Sequence, residues 1–217
     1  MTIEINYKQM QEEIGNKRVI VFGGFSGLGY ENIDELKSTI KNRIEKDIEK
    51  YGKDNIAVVA GATGDGIGVC YEIAKSLNIA TYGIVSEAGK EWGADKYCDK
   101  TFFVPDPNGT WQVLNEKGSS YMVDIANNNG SLVYYGGGEV AVSEIKEAKQ
   151  RGIETEINTS FNPNPIQVKK KKDKNPNLNP TPLKTYMESV SVEKRISKIN
   201  ESFRNSNNPK TKNKNTI

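Results

Sequence analysis

Apolar residues along this chain fall into short unbroken runs and into longer stretches where they recur every three or four positions. Short unbroken runs are typical of strands buried on both faces of a parallel sheet, and the wider spacing is typical of helices. The runs predict strands at 18–23, 55–61, 80–85, 100–104, 131–135 and 153–157. The helical spacing predicts helices at 1–16, 32–51, 66–77, 118–128 and 139–151. This alternation indicates a Rossmann-like α/β domain over residues 1–158, with helices on both faces of a parallel sheet.

The chain changes composition near residue 160. Pro, Asn and Lys dominate the stretch that follows, with almost no apolar spacing, so burial cannot offset the entropy lost on ordering. We expect residues 159–217 to form a largely disordered tail, with a marginal helix over 185–203.

Charge is divided unequally between these two parts. Residues 157–217 hold 13 Lys/Arg and 4 Asp/Glu, whereas residues 1–156 hold 17 Lys/Arg and 24 Asp/Glu. The acidic domain has no general attraction for nucleic acid, whereas the basic tail is a candidate for binding nucleic acid or another polyanion. The run from Lys169 to Lys172 is interpreted as a solvated charged segment, with an anion-binding patch or a nuclear localisation signal as alternatives.

Composition excludes several kinds of site. Histidine is absent, which excludes serine–histidine and cysteine–histidine mechanisms and histidine metal ligands. Cys70 and Cys98 lack the spacing of a zinc site, so we expect no metal and a reducing compartment. No apolar run has the length of a membrane span or a signal-peptide core. The chain is therefore expected to be soluble and cytoplasmic without a membrane partner, or nuclear if the lysine run is a signal.

Three of the predicted strands run into glycine-rich turns, at 23–29, 61–68 and 136–138. A strand, a glycine turn and a helix together present unpaired backbone N–H groups to an anion, and glycine lets a phosphate approach because it has no Cβ. Parallel strands would place the three turns at one edge of the sheet, where α/β proteins bind their ligands. We therefore expect a nucleotide-type ligand at Gly23, Gly24, Ser26, Gly27, Gly61, Thr63, Gly64, Asp65, Gly66, Gly136, Gly137, Gly138, Glu139 and Val140.

Some of these residues have a structural alternative. Asp65 is the kind of residue that stabilises a turn, and Glu139 complements the dipole at the start of a helix. Ser26 and Thr63 have hydroxyls suited to phosphate or to helix capping. Glu144, in the first turns of the last predicted helix, is the candidate catalytic residue, with pairing inside its own helix as the alternative.

Aromatic residues near the turns offer surfaces for a base. Tyr30, Tyr121, Tyr134 and Tyr135 can stack on a base, although aromatic residues in or beside strands more often belong to the core. Trp92 and Trp111 lie in predicted loops, where they either line the mouth of a pocket or cover the sheet.

The glycine turn at 136–138 and Glu144 resemble the P-G-G-x-G-T-x-x-E signature of the Lonely Guy family. Members of that family are nucleoside-5′-monophosphate phosphoribohydrolases, and the wider superfamily includes DNA-processing protein A and nucleotide-sensing domains. The resemblance covers roughly residues 17–157, with the glycines of the signature on Gly137 and Gly138. It implies that the glycine turn holds a 5′-phosphate and that Glu144 supports cleavage of the N-glycosidic bond.

The chain departs from that signature at several positions. Gly136 replaces the proline, Val140 replaces a glycine and Ala141 replaces the threonine. The family's upstream arginine–lysine pair falls on Tyr121 and Met122, so its catalytic arginine is missing. We therefore predict a binding or sensing module with no cofactor, and keep an active hydrolase as the alternative. A homodimer is left open.

A second resemblance is to the short-chain dehydrogenases. The turn at 23–29 is similar to their G-x-x-x-G-x-G sequence, which implies a nicotinamide dinucleotide and hydride transfer. No acidic residue closes the second predicted strand to bind a ribose, since that strand ends at Gly61. This interpretation is a second alternative.

Overall fold

The computed structural model describes residues 3–206 of the chain, with the backbone alone described over 200–206. Its strands are β1 (Ile3–Glu4), β2 (Arg18–Gly24), β3 (Ile56–Ala60), β4 (Ala80–Ser86), β5 (Lys100–Val104), β6 (Gly130–Tyr135) and β7 (Glu154–Asn158). Its helices are α1 (Tyr7–Ile14), α2 (Ile33–Tyr51), α3 (Val69–Ser76), α4 (Tyr121–Ala126), α5 (Glu139–Gln150), α6 (Pro165–Lys174) and α7 (Pro182–Ser206). The predicted Rossmann-like α/β class is confirmed.

All seven strands form one parallel sheet in the order β1-β5-β4-β3-β2-β6-β7. After β1 at one edge of the sheet, the chain forms β2 near the middle and adds β3, β4 and β5 between β2 and β1. It then crosses to the other side of β2 to add β6 and β7. The strand order therefore reverses between β2 and β6, which is the point where open α/β sheets form a ligand crevice.

Helices cover both faces of the sheet because the strands are apolar on both faces. On one face, α2 buries Leu36, Ile40 and Ile44, which the three-to-four spacing predicted, together with residues of α3. On the other face, α1, α4, α5 and the start of α7 form a second core around residues such as Met10 and Ile145. The two layers fix the strand ends and thereby position the glycine turns.

The predicted elements match the structure closely, with a few differences. The strand β1 lies within the segment predicted as a helix, and it forms one edge of the sheet by pairing with β5. The helix predicted at 118–128 is shorter, because Ser120 caps its first turn with its side chain. Short 3-10 turns interrupt the connection between β4 and β5. Over residues 3–206, no helix combines the length and apolar character that crossing a bilayer requires.

The C-terminal segment differs from the prediction of disorder over residues 165–199. Asn164 caps α6 with its side chain and Pro165 follows at the first helical position, a combination that favours a helix start. Leu183, at the start of α7, is fully buried in the second core, and its N–H donates to Gly137 O at 3.3 Å. These apolar contacts offset the entropy of ordering, which composition alone did not indicate. The helix predicted at 185–203 lies within α7, and residues 207–217 are outside the described residues.

The amino ends of β2, β6 and β7 are joined by a largely buried network of ion pairs. Arg18 Nη2 lies 2.7 Å from Glu154 Oε2, and Arg43 Nη1 lies 2.7 Å from Asp47 Oδ1. Arg43 also contacts Glu156, with 3.0 Å between Nε and Oε2. The two arginines and Asp47 have side chains at most 11% exposed, and Arg18 Nε and Asp47 Oδ2, which are 3.8 Å apart, are buried without a hydrogen-bond partner among the described residues. This network anchors α2 to the sheet.

Candidate functional site

A cavity of about 370 Å³ lies at the carboxyl ends of the strands, beside the point where the strand order reverses. The three glycine turns all contribute to its wall, as expected for parallel strands. Its volume falls at the lower end of the range of ligand pockets, about 300–1,000 Å³. The structure thus brings the three turns together around one space.

Most of the predicted site residues line this cavity. Those that do so are Gly23, Gly24, Ser26, Gly27, Gly61, Thr63, Gly138, Glu139, Val140 and Glu144. Among the described residues, those predicted for the site but outside its wall are Gly64, Asp65, Gly66, Gly136 and Gly137.

The residues outside the wall have local structural roles. A Cβ on Gly64 would lie 2.3 Å from the ring of Tyr97, and a Cβ on Gly66 would lie 2.0 Å from the carbonyl oxygen of Phe25. The Asp65 N–H donates to the hydroxyl of Thr63 at 3.2 Å, which closes a tight turn. Glycine at positions 64 and 66 therefore serves the shape of the turn, whereas the bond at Asp65 is made by its backbone and its side chain makes no capping hydrogen bond to any residue that the structure describes.

The glycines that line the cavity differ in what surrounds them. A Cβ on Gly23 would lie 2.1 Å from the ring of Tyr134, and one on Gly24 would lie 2.0 Å from the hydroxyl of Tyr30. These two glycines are needed for packing. By contrast, a Cβ on Gly61 or Gly138 would meet no atom within 4 Å. At these two positions the missing side chain leaves space that belongs to the cavity.

The first turn of α5 borders the cavity. Gly138 is the N-cap residue, and within the described part of the chain no side chain caps the helix there. Val140 and Ala141 in the first turn also line the cavity. The first N–H groups of a helix have no partner inside the helix, and they carry the positive end of its dipole. This end of α5 therefore offers hydrogen-bond donors to the cavity, and Glu139 places one carboxylate in the same first turn, whereas the first turn of α2 holds two.

The helix after the first glycine turn is arranged differently. Asn32 caps α2, because its side-chain oxygen accepts a hydrogen bond from the Glu35 N–H at 3.1 Å. Asp34 and Glu35 place negative charge in the same first turn. This helix start is already satisfied by its own residues and is not available to an anion.

Lys171 on α6 also lines the cavity. Its Nζ lies 3.7 Å from the position that a Cβ on Gly27 would occupy. Among the side chains of residues 3–199, no carboxylate forms an ion pair with Lys171, whereas nearby Lys169 pairs with Asp173. The sequence predicted a solvated segment for this lysine run, with an anion-binding patch as an alternative, but it did not place Lys171 beside the glycine turns. The Asn–Pro pair before α6 was the signal that a helix begins there.

Glu144 is held by two hydroxyl groups of the protein. Its Oε1 accepts from Ser120 Oγ at 3.0 Å, and its Oε2 accepts from Tyr134 Oη at 2.7 Å. Burial raises the pKa of Glu144 above its ordinary value, although the two hydrogen bonds act in the opposite direction. The glycine at position 23 makes room for the Tyr134 ring that reaches this carboxylate. Glu144 is therefore a buried, structurally bonded group that also borders the cavity.

The loop between β5 and α4 brings an aromatic residue to the cavity. Trp111 lines it with 49% of its surface exposed, in a left-handed backbone conformation with φ of 60°. The buried carboxylate of Asp106 accepts hydrogen bonds from the N–H groups of Thr110 and Trp111. These bonds, led by that from Thr110, hold the pKa of Asp106 below its ordinary value against the effect of its desolvation.

The four tyrosines that were candidates for stacking on a base have other roles. Tyr30, Tyr134 and Tyr135 are buried in the core, and burial raises the pKa of all three hydroxyls. Tyr121 packs its ring against Tyr7 and Phe102. The core alternative therefore describes all of them better than a stacking role.

One pair in α3 has the tyrosine–lysine spacing that short-chain dehydrogenases use. Tyr71 is fully buried and its hydroxyl donates to Tyr82 O at 3.1 Å, while Lys75 Nζ lies 3.7 Å from Asp99 Oδ1. Neither residue is among the described residues that line the cavity. This pair is not placed for proton transfer to a ligand there.

Comparison of the sequence with protein-family models and with curated proteins gives no match. The resemblance to the Lonely Guy family therefore stays a prediction that rests on the glycine turn and Glu144.

Proposed function

We propose that this chain binds a nucleotide or nucleotide-derived phosphate ligand in the cavity at the carboxyl ends of its strands. The observation that carries the proposal is the uncapped start of α5, which opens into this cavity at Gly138. Helix N-termini that follow a strand and a glycine turn are common phosphate sites, because their N–H groups and dipole suit a doubly charged anion.

Two features strengthen the choice of a phosphate group. The space beside Gly61 and Gly138 is free of side chains, so an anion can approach the backbone closely. Lys171 contributes a flexible positive charge to the same cavity, and lysine binds phosphate as a point charge. The described wall thus combines backbone donors with a cation that has no carboxylate partner among the described residues.

The dehydrogenase alternative receives less support. In that class the first glycine turn leads directly into a helix whose N-terminus binds the pyrophosphate. Here the turn is separated from α2, and Asn32 already occupies the capping position. The turn after β6 is therefore the better anion site.

Calorimetric titration of the full chain with adenosine monophosphate (AMP) and inorganic phosphate tests the proposal. The key variant is Gly138→Asp, which places a carboxylate at the N-cap, where it accepts from the free N–H groups and repels an anion. Its control is Asn32→Asp, which adds the same charge to the N-cap of α2. We expect the dissociation constant for AMP to rise at least tenfold in Gly138→Asp and to be unchanged in Asn32→Asp.

Thermal unfolding of both variants separates a binding effect from a folding effect. Gly138 has an extended φ of −90° and open space around its Cβ position, so Gly138→Asp is expected to leave stability unchanged or slightly raised. The proposal fails if the wild type binds neither AMP nor phosphate. It also fails if Gly138→Asp binds AMP as tightly as the wild type.

A second candidate function is hydrolysis of the N-glycosidic bond of the bound nucleotide. It is favoured by the position of Glu144, which borders the cavity next to the proposed phosphate site. It is weakened by Met122, an apolar residue that lines the cavity. In the alignment with the Lonely Guy signature, Met122 stands where that family has the lysine of its arginine–lysine pair. Incubation with nucleoside monophosphates and analysis for free base, with Glu144→Gln as the control, distinguishes a hydrolase from a binding module.

A further inference from the structure

Trp111 lies in a backbone conformation that bulky residues rarely adopt. Its φ of 60° falls in the left-handed region, which is uncommon for residues other than glycine, asparagine and aspartate. Despite its apolar ring, Trp111 is 49% exposed and lines the cavity that contains the proposed phosphate site. An indole that is half exposed and lines a cavity, instead of lying inside the core, is accessible to a ligand that binds there.

A buried carboxylate fixes this arrangement. Asp106 Oδ2 accepts from the Trp111 N–H at 2.8 Å and from Ser86 Oγ at 2.9 Å. Its Oδ1 accepts from both the N–H and the hydroxyl of Thr110, each at 3.0 Å. Because Ser86 is the last residue of β4, these bonds tie the loop to the carboxyl end of the sheet. The position of Trp111 is therefore determined by the sheet rather than by a free loop.

The wall near the sheet suits a flat apolar group. Ile84, Val85, Val113 and Met122 contribute apolar surface to the same cavity that Trp111 lines. The polar donors, in contrast, come from the glycine turns and Lys171. A ligand that uses both kinds of wall has an anionic group joined to a planar apolar one, as a nucleoside monophosphate does.

We propose that Trp111 is the stacking surface for the base of the ligand, so that the cavity selects nucleotides with an intact base over sugar phosphates and inorganic phosphate. This inference rests on the proposed function and specifies its ligand class. Stacking on an aromatic side chain is tolerant of base identity because every base has a π-face.

The two tryptophans of the chain make the test direct. Trp92 is 74% exposed and is not among the described residues that line the cavity. The variant Trp92→Phe leaves Trp111 as the fluorescent reporter, and Trp111→Phe leaves Trp92. We expect AMP to quench the fluorescence of Trp92→Phe and to leave that of Trp111→Phe unchanged.

Affinity measurements complete the test with ribose 5-phosphate as the matched ligand without a base. For the wild type, we expect AMP to bind about tenfold more tightly than ribose 5-phosphate. In Trp111→Ala this advantage should disappear through weaker binding of AMP alone, whereas Trp92→Ala should bind both ligands like the wild type. The comparison of two ligands on the unmodified chain does not depend on the folding of any variant.

The outcomes separate this inference from the proposed function. If AMP and ribose 5-phosphate bind the wild type equally, or if Trp111→Ala retains the preference for AMP, the stacking role of Trp111 is wrong and phosphate binding stands. If neither AMP, ribose 5-phosphate nor inorganic phosphate binds, both the proposed function and this inference are wrong.

Discussion

At the amino ends of β2, β6 and β7 the sheet holds arginines against carboxylates, whereas at the carboxyl ends of the strands it holds glycines around an open cavity. Arg18 forms an ion pair with Glu154, and Arg43 forms one with Asp47, and the side chains of the two arginines and Asp47 are at most 11% exposed. Gly61 and Gly138 instead leave space, and the start of α5 keeps its N–H groups for another partner. The two ends thus differ in whether their polar groups already have partners within the protein.

This difference explains why strong local charge does not mark the candidate site. Charged side chains that are paired and buried have little left to offer a ligand, and removing one partner destabilises the fold because it leaves the other charge buried and uncompensated. A backbone N–H group without a partner attracts an anion more weakly than a charged side chain does. It is fixed in place, however, so little reorganisation is needed when a ligand binds. We therefore expect substitutions in the ion-pair network at the amino end to change stability, and substitutions at the start of α5 to change binding.

The largest effect is expected from Arg43→Met at the amino end. Removing this arginine leaves the buried carboxylate of Asp47 without its 2.7 Å partner, which should lower the free energy of unfolding by about 3 kcal/mol. Lys41→Met is the control on the same helix, because the pair between Lys41 and Glu45 is exposed and contributes about 0–1 kcal/mol. Urea unfolding measures both. Equal losses of unfolding free energy in the two variants would contradict a special role for the network. The affinity for AMP should change in neither variant.

A somewhat smaller loss of stability is expected from Leu183→Ala. This variant tests whether the C-terminal helix α7 packs against the domain at the carboxyl ends of the strands. Leu183 is fully buried beside the turn at Gly137, so its truncation should cost about 2–3 kcal/mol. Ile166→Ala is the control, because Ile166 on α6 is 63% exposed and should cost little. A Leu183→Ala protein as stable as the wild type would show that α7 does not pack against α5.

Glu144→Gln is expected to have the smallest effect on stability, about 1 kcal/mol or less at pH 7, because the hydroxyls of Ser120 and Tyr134 can still bond the amide. The pH dependence of the free energy of unfolding is more informative. Burial raises the pKa of Glu144 in the folded protein above its ordinary value of 4.5, so the folded state binds the proton more tightly than the unfolded state. The wild type should therefore lose stability relative to Glu144→Gln as the pH rises above about 4.5.

Urea unfolding of both proteins at several pH values between 4.5 and neutrality measures this difference. Glu139→Gln, an exposed substitution on the same helix, supplies the baseline. A wild type that gains stability over Glu144→Gln with rising pH would contradict the raised pKa.

The sequence predicted the sheet because its strands carry a strong local signal. Unbroken apolar runs such as that in β3 (Ile56–Ala60) are hard to accommodate except in a buried strand. The glycine turns were equally visible, and their meeting at one edge followed from parallel strands. The sequence did not show which glycines are needed for packing and which leave open space. Gly23 and Gly138 look alike in sequence but differ in the atoms that surround them.

The packing of the C-terminal helices α6 and α7 against the domain was not predicted for a related reason. Composition describes an average over a segment, whereas the packing of α7 begins at a single buried residue, Leu183. In the same way, the approach of Lys171 to Gly27 depends on how α6 lies over the turn. The contacts that complete the candidate site come from distant parts of the chain, and a local pattern does not encode them.

The most direct test of the central claim is a titration of the ¹⁵N-labelled full chain with AMP, followed by amide chemical shifts. The two ends of the sheet are then compared in one experiment on the unmodified protein. We expect the amide signals of Glu139 and Val140, in the first turn of α5, to shift most, and those of Ser131 and Asp47, at the amino end, to stay in place. Shifts concentrated at the amino end, or none at Glu139 and Val140 with AMP in excess, would contradict an anion site at the start of α5.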